Sequence, residues 1–360
     1  MGAGSTNQSD HASGEGAASA TALHQIRQDW LDKGREPVID PDLKIVDAHH
    51  HLWDMPGNRY LLRDYLDDLA SGHTVLASVY VQSGTMMASE GPEDFRSVGE
   101  TAFAASIAQE CDGNRNLPRV CAAIVGSVDL NLGSRAAPVL EAHVEAAQGR
   151  LRGVRCLTHW HEDPVIHRIH TTAGLLSTSG TRDVARLLEQ MGLVLDIWVY
   201  HTQLDEVIDL ARACPGLTIV LNHAGTPLGC GPYADRREEV RRLWQEKIAT
   251  LAEMPNVFVK LGGLAMRFSG FAFDRRPEPP SSETLAATWA PYILECIERF
   301  GSSRCMFESN FPVDKASCSY PTLWNAYKRL AGGASPSERS ALFFDTAASV
   351  YQLQLNAERC

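Results

Sequence analysis

Residues 43–54 read Leu-Lys-Ile-Val-Asp-Ala-His-His-His-Leu-Trp-Asp, an apolar start followed by a run of histidines. The β-branched start predicts a strand. Because successive side chains of a strand point to opposite faces, we expect Asp47, His49 and His51 on one face. His50 then points to the other face. Two neutral imidazoles on one face supply half of a tetrahedral zinc-type site, so the stretch predicts a strand that ends in a functional site.

The composition predicts a globular protein without nucleic-acid or membrane partners. The chain has 360 residues, 44% of them apolar, enough for one large domain or two ordinary ones. A formal net charge of −11 argues against the basic face that nucleic acids and anionic membranes need. No apolar run approaches the roughly 18 residues of a membrane helix, and no secretory signal is recognised. The nine scattered cysteines contain no C-x-x-C pair, so we expect reduced thiols and a cytoplasmic location.

Strand-like and helix-like segments alternate along the chain. Strands are predicted at 43–46, 74–81, 120–128, 151–157, 193–200, 217–221, 257–261 and 304–308. Helices are predicted at 103–111, 137–147, 181–191, 204–213, 237–252, 285–300 and 320–330, and a capping box at 335–338 opens a last one. Eight such units predict a (β/α)8 barrel. A doubly wound sheet is the competing fold, but its glycine-rich phosphate motif is missing after the first strand.

The chain divides into three predicted segments. Residues 1–20 are small and polar, and we expect a disordered tail. Residues 21–42 form a peripheral segment with a weak helical pattern at 23–33. Residues 43–353 form the barrel as a single domain.

Polar residues follow the predicted strands at the end where a barrel carries its active site. Catalytic groups of such barrels lie at the carboxyl ends of the strands. The candidates at these ends, besides the first-strand histidines, are Arg155, His159, His161, Asp196, Trp198, His223, Lys260, Glu308, Asn310 and Asp314.

Several of these candidates also have structural interpretations. Lys260 can pair with a barrel carboxylate such as Glu308, and Asp196 can orient an imidazole. The loop histidines 159, 161, 167 and 170 are too many for one site, and we expect only one or two to act. Trp198 is best interpreted as a pocket wall.

Five motifs in order resemble the amidohydrolase superfamily. They are Asp47–Trp53, Leu151–Arg155, Asn222–Pro227, Lys260–Gly263 and Ser309–Pro312. The resemblance covers residues 43–353 and is greatest to the amidohydrolase-2 type, which includes sugar-acid lactonases and 2-pyrone-4,6-dicarboxylate lactonase. It implies a distorted TIM barrel that hydrolyses a small carboxylate-bearing lactone, or a related ester or amide.

The resemblance also implies roles for individual residues. His49, His51 and His223 bind a divalent metal or act directly on the substrate. The last-strand aspartate that serves as general base in the family is replaced by Asn310, and an amide cannot take a proton from water. Glu308 and Asp314 are the two acids that can substitute. We favour Glu308 because strand alternation aims it into the barrel.

The remaining implications concern cofactor and substrate. One divalent zinc or manganese ion is expected, and metal-free catalysis is the alternative. The fourth strand offers no lysine for a carbamate bridge, so a two-metal site is not expected. Arg155, with His161, is expected to hold a substrate carboxylate by paired hydrogen bonds, and Trp198 and Lys260 complete the substrate-binding set.

Two other functions stay open at this point. One is a metal-dependent, non-oxidative decarboxylase of a small cyclic or aromatic acid. The other is a catalytically silent barrel that binds a sugar acid, which the substitution at Asn310 favours. The sequence also leaves the oligomeric state open, with a homodimer as one candidate.

Overall fold

Eight parallel strands form one sheet in the order of the chain. The computed structural model describes residues 25–170 and 172–355, so the predicted tail at 1–20 lies outside the described residues. The strands are β1 (Lys44–His50), β2 (Thr74–Val81), β3 (Arg119–Gly126), β4 (Leu151–Leu157), β5 (Val194–Trp198), β6 (Ile219–Leu221), β7 (Val257–Leu261) and β8 (Cys305–Phe307). Every neighbouring pair is parallel, as eight β-α units require.

The sheet curves round until the chain after β8 meets β1. His50 and Phe311 form an isolated parallel bridge. The Asn310 amide donates to the His49 carbonyl at 2.8 Å, and the His51 amide donates to the Phe311 carbonyl at 2.7 Å. The sheet is therefore a nearly closed, distorted barrel, which confirms the predicted fold class. The closing bonds also bring the last predicted motif next to the first.

Eight main helices cover the outside of the barrel. They are α1 (Leu62–Leu69), α2 (Ser97–Asp112), α3 (Ala137–Ala146), α4 (Ser179–Met191), α5 (Leu204–Ala213), α6 (Arg237–Ala252), α7 (Ser282–Phe300) and α8 (Tyr320–Leu330). The helix α1 is absent from the predicted elements, and it follows a short hairpin of Trp53–Met55 and Asn58–Tyr60. No helix within the described residues is long and apolar enough to cross a membrane.

The two ends of the described chain pack against the barrel. The N-terminal segment contains a helix at Gln28–Leu31, shorter than predicted, and Trp30 donates its indole hydrogen to the Arg276 carbonyl at 3.0 Å. The predicted capping box opens the helix Pro336–Ser340, where the Ser335 hydroxyl accepts from the Glu338 amide. The last described helix is Thr346–Val350.

The core has two layers that position the site. A large apolar cluster fills the space between the sheet and its helices. A smaller cluster fills the lower part of the barrel interior, with valines and alanines from several strands and Tyr351 from the C-terminal segment. Polar side chains lie above this inner cluster, so the functional groups stand on a rigid apolar floor.

Candidate functional site

The face alternation of β1 breaks within its motif. The pairing of β1 with β2 shifts register between Asp47 and His50. Asp47 accepts hydrogen bonds from Tyr65 at 2.8 Å and Tyr320 at 3.1 Å, and the His50 ring stacks on Tyr65 with centroids 4.3 Å apart. Asp47 and His50 therefore both face the helix layer. The prediction that Asp47 shares a face with the site histidines is wrong, because the irregularity turns the carboxylate outward.

The barrel mouth brings together two histidines of the first motif, one from the β6 end and one acid from the β8 end. Glu308 is fully buried, with Oε1 accepting from His223 Nδ1 at 2.7 Å and Oε2 lying 2.9 Å from His49 Nδ1. His49 Nε2 lies 3.2 Å from His51 Nε2. We call His49, His51, His223 and Glu308 the central cluster. All four residues are among the candidates predicted from the sequence, whereas the contact of Glu308 with two imidazoles is not.

The hydrogen-bond partners assign the protons on two of these rings. His51 Nδ1 lies 2.7 Å from the Val81 carbonyl, an acceptor, so the proton is on Nδ1 and Nε2 is bare. His49 Nε2 accepts from Arg155 Nη1 at 3.1 Å, so Nε2 of this ring is also bare. Burial, with nearby positive charges, holds the pKa of both rings well below the usual value, which keeps them neutral. Two bare nitrogens thus face each other with no proton between them.

This arrangement fits one divalent cation. Ligand atoms of His49, His223 and Glu308 lie within 4.8 Å of one another, and all three residues are buried. Within the described residues, His49 Nδ1 and Glu308 Oε2 make no hydrogen bond despite their proximity, since the contact misses hydrogen-bond geometry. Imidazole nitrogen and carboxylate oxygen are the ligands that zinc and manganese accept. The donors support the expected metal, and Glu308 is a donor that the sequence analysis had not assigned to it.

Two glycines after β7 make room for the central cluster. A Cβ on Gly262 would lie 2.4 Å from Glu308 Cγ, and a Cβ on Gly263 would lie 2.5 Å from His223 Cγ. Gly263 also has φ +67°, which side chains disfavour. The two glycines at the end of the Lys260–Gly263 motif therefore leave the space that the side chains of Glu308 and His223 occupy.

Asn310 and Asp314 form a buried pair beside the cluster. Asn310 donates its side-chain amide to Asp314 Oδ1 at 3.0 Å, and both residues are buried. Burial raises the pKa of Asp314 well above its usual value, and the nearby charge of Glu308 adds to the effect. Burial thus favours the protonated form of Asp314, while Asn310 occupies the position of the family's aspartate.

Arg155 brings a positive charge into the site. Its side chain is buried, and it donates to His49 Nε2 at 3.1 Å and to the Gln82 carbonyl. Burial lowers the pKa of Arg155 to about 10, so the guanidinium stays charged at neutral pH. Its Nε has no hydrogen bond within the described residues. A donor group thus remains for another partner.

Lys260 has an internal partner. Its Nζ lies 2.7 Å from Asp196 Oδ2, and both side chains are fully buried. Asp196 also accepts from Asn222 at 2.9 Å and from the Tyr351 hydroxyl at 2.9 Å. The ion pair that the sequence left open for Lys260 is present, with Asp196 instead of Glu308 as its partner. The described partners of Asp196 include no imidazole, so the structure does not support its predicted role in orienting one.

The remaining predicted residues, Trp198 at the end of β5 and His161 on the loop after β4, lie in different surroundings. Trp198 lies beside the cluster, with its ring centroid 5.8 Å from that of His223. His161 contacts other loops instead, since its Nε2 lies 3.0 Å from the Tyr233 hydroxyl. His161 is the predicted substrate-binding histidine of this loop, yet it is the His159 ring that packs on Trp198, with centroids 4.0 Å apart. The position of His159 in the sequence, two residues after the end of β4, could have indicated its place near the site.

Comparisons with known proteins find similarity to amidohydrolases over most of the chain. The model of the amidohydrolase family matches residues 46–353. The uncharacterised protein y4mH of Sinorhizobium fredii is 30% identical over 87% of this chain and 99% of its own length. An L-fucono-1,5-lactonase of Burkholderia multivorans is 29% identical over 86% of this chain and 96% of its own length. The crystal structure of a zinc-bound amidohydrolase from the same organism has a TM-score of 0.66 and 25% identity, covering 86% of this chain and 99% of that chain.

Proposed function

We propose that this chain, which belongs to the amidohydrolase family, hydrolyses a small lactone that carries a carboxylate or a similar polar group. Family membership confirms the resemblance seen in the sequence, and the chain is a hydrolase of this family. The observation that carries the proposal is the buried contact of Glu308 with His49 and His223 at the barrel mouth. The similarity to L-fucono-1,5-lactonases supports the lactone as substrate class.

Glu308 is the general base in this proposal. Its Oε1 accepts from His223. Its Oε2 lies 2.9 Å from His49 Nδ1 but makes no hydrogen bond within the described residues, and this is the oxygen that we assign to take a proton from water. Asp314 is the competing candidate, but its Oδ1 already accepts from the Asn310 amide, and burial disfavours the carboxylate form that a base needs.

The imidazoles and Arg155 act on the carbonyl. His49, His51 and His223 would hold the divalent ion, and a bound ion supplies Lewis-acid polarisation of the lactone carbonyl. The Arg155 guanidinium, buried beside His49, stabilises negative charge on the substrate, either the oxyanion or a carboxylate. Trp198 forms a wall of the pocket. For Lys260 we propose a structural role through its pair with Asp196.

A turnover assay tests the proposal. Purified full-length chain, supplied with zinc or manganese, is incubated with L-fucono-1,5-lactone and with 2-pyrone-4,6-dicarboxylate, and acid release is followed with a pH indicator. Enzyme-dependent acid release is expected with at least one ring. Carbon dioxide release from 2,6-dihydroxybenzoate without lactone opening would favour the decarboxylase instead. Binding of a sugar acid without turnover of any substrate would favour the silent barrel.

A further inference from the structure

A pair of histidines connects the protein surface with the interior next to the central cluster. His159 is fully buried, and its Nδ1 has no hydrogen bond within the described residues. Its Nε2 lies 3.2 Å from His167 Nδ1, and the two rings stack with centroids 5.4 Å apart. His167 is exposed to solvent. One ring thus meets water while the other keeps a free nitrogen inside the protein.

The buried ring lies on the substrate side of the barrel. His159 follows β4, four residues after Arg155, where barrel enzymes carry catalytic groups. Its ring packs on Trp198, which itself lies edge-on to His223. The charged or titratable groups that act on His159 are His167, Arg155, His170 and His223. Burial, with smaller contributions from these neighbouring groups, holds the pKa of His159 well below the usual value, so the ring is neutral at rest.

We propose that His159 donates a proton from Nδ1 to the leaving oxygen of the lactone, and that His167 replaces this proton from solvent. The proposal rests on the lactone hydrolysis proposed above and adds the general acid that ring opening requires. A leaving alkoxide is a strong base, and without a proton donor its departure is slow. Glu308 supplies the base on the water side, and this histidine pair supplies the acid on the leaving side.

The proton balance closes over one turnover. Water adds to the carbonyl carbon, and Glu308 takes one of its protons. The carbon–oxygen bond of the ring then breaks, and the departing oxygen takes the Nδ1 proton of His159. In the same step, His159 Nε2 takes the Nδ1 proton of a His167 imidazolium, so His159 changes tautomer without becoming an anion. Solvent reprotonates His167, and Glu308 returns its proton to solvent. The new carboxylic acid then loses its own proton to water, so the product leaves as a hydroxy-carboxylate with the net release of one proton.

Dependence on the leaving group tests the role of His159. The wild-type chain, His159→Gln and His159→Asn are compared on an aliphatic lactone, L-fucono-1,5-lactone, and on an aryl lactone, dihydrocoumarin. We expect His159→Gln to lower kcat on the aliphatic lactone about 100-fold or more, and on the aryl lactone less than about 10-fold, because a phenolate leaves without a proton. Equal losses on both rings, or no loss on either, would overturn the proposal. If the wild-type chain opens neither ring, the proposed hydrolysis fails instead.

The exposed partner gives an independent test that does not risk the core. We expect His167→Ala to slow opening of the aliphatic lactone about tenfold and to regain rate when imidazole is added to the buffer. His170→Gln is the matched control, since His170 Nε2 lies 2.8 Å from the Leu157 carbonyl on the same loop and a glutamine amide can keep that bond. A His167→Ala variant that is slow but insensitive to imidazole, or as fast as the wild type, contradicts the relay.

Discussion

Replacing Glu308 by glutamine removes the proposed base while keeping the size of the side chain. Glutamine cannot accept a proton from water, and its amide replaces one of two oxygens that now lie 2.7 and 2.9 Å from histidine Nδ1 atoms. Loss of a positioned general base costs about 10²- to 10⁴-fold in rate, or about 2.7 to 5.4 kcal/mol of transition-state stabilisation. We therefore expect kcat on the responsive lactone to fall at least about 100-fold, with a smaller change in KM.

The same substitution has a separate cost in stability. One histidine Nδ1 would face an amide NH₂ group in place of an acceptor, and an unsatisfied buried donor costs about 1–3 kcal/mol. Urea unfolding measures this loss, and a chain that remains folded at the assay temperature keeps the kinetic comparison valid. The metal content of Glu308→Gln separates a base, which leaves the ion bound, from an essential ligand, which does not. Turnover within a few fold of the wild type would refute the assignment, above all if Asp314→Asn abolishes it.

Three further substitutions examine the surroundings of the cluster. Asn310→Asp restores the family's usual residue, but it removes the amide that donates to Asp314 and puts two buried carboxyl groups 3.0 Å apart, so we expect a loss of about 1–3 kcal/mol in urea unfolding and no gain in kcat. The double variant Asn310→Asp/Asp314→Asn restores an acid–amide pair, and a failure to recover stability would contradict this explanation. Asp314→Asn removes the buried carboxyl whose pKa is raised. Because that carboxyl makes the wild type less stable as pH rises from 3.8 to its folded-state pKa, the free energy of unfolding of the variant should rise relative to the wild type by up to about 1.36 kcal/mol per pH unit in that window. A difference that does not depend on pH would contradict this explanation. Gly263→Ala should lower the free energy of unfolding by at least about 1–2 kcal/mol and slow turnover by displacing His223. As a control, Gly333→Ala should change it by less than about 0.5 kcal/mol, because a Cβ at Gly333 would have no neighbouring atom within 4 Å.

The sequence predicted the barrel well because periodicity and strand ends are local signals. The strands at 74–81, 151–157 and 257–261 have the predicted bounds, and the motif order gave the family. The helix α1 was not predicted because it is short and follows a hairpin whose strands are also too short to show a pattern. Its buried residues Leu62, Tyr65 and Leu69 do have helical spacing, but eight residues are a short window in which to recognise it.

The contacts within the site were less predictable because they depend on irregular backbone. Strand alternation predicts Asp47 on the same face as His49 and His51, whereas the register shift in β1 turns the Asp47 side chain to the helix layer. Alternation did aim Glu308 inward, but its contact with two imidazoles depends on how β8 meets β1 and β6. The partner of Lys260 and the place of His159 depend on the packing between segments far apart in sequence. A cytoplasmic location and a homodimer stay predictions.

The most direct test of the central cluster as one functional centre is the metal content of the purified chain, measured by elemental mass spectrometry. The wild-type protein, dialysed after exposure to zinc or manganese, should retain about one ion per chain. Ligand atoms of His49, His223 and Glu308 lie within 4.8 Å of one another, and His51 Nε2 lies 3.2 Å from His49 Nε2. His223→Ala should lose both the ion and the lactonase activity. Full activity in chelated wild-type protein with no bound metal would contradict the metal centre and leave the histidines to act on the substrate directly.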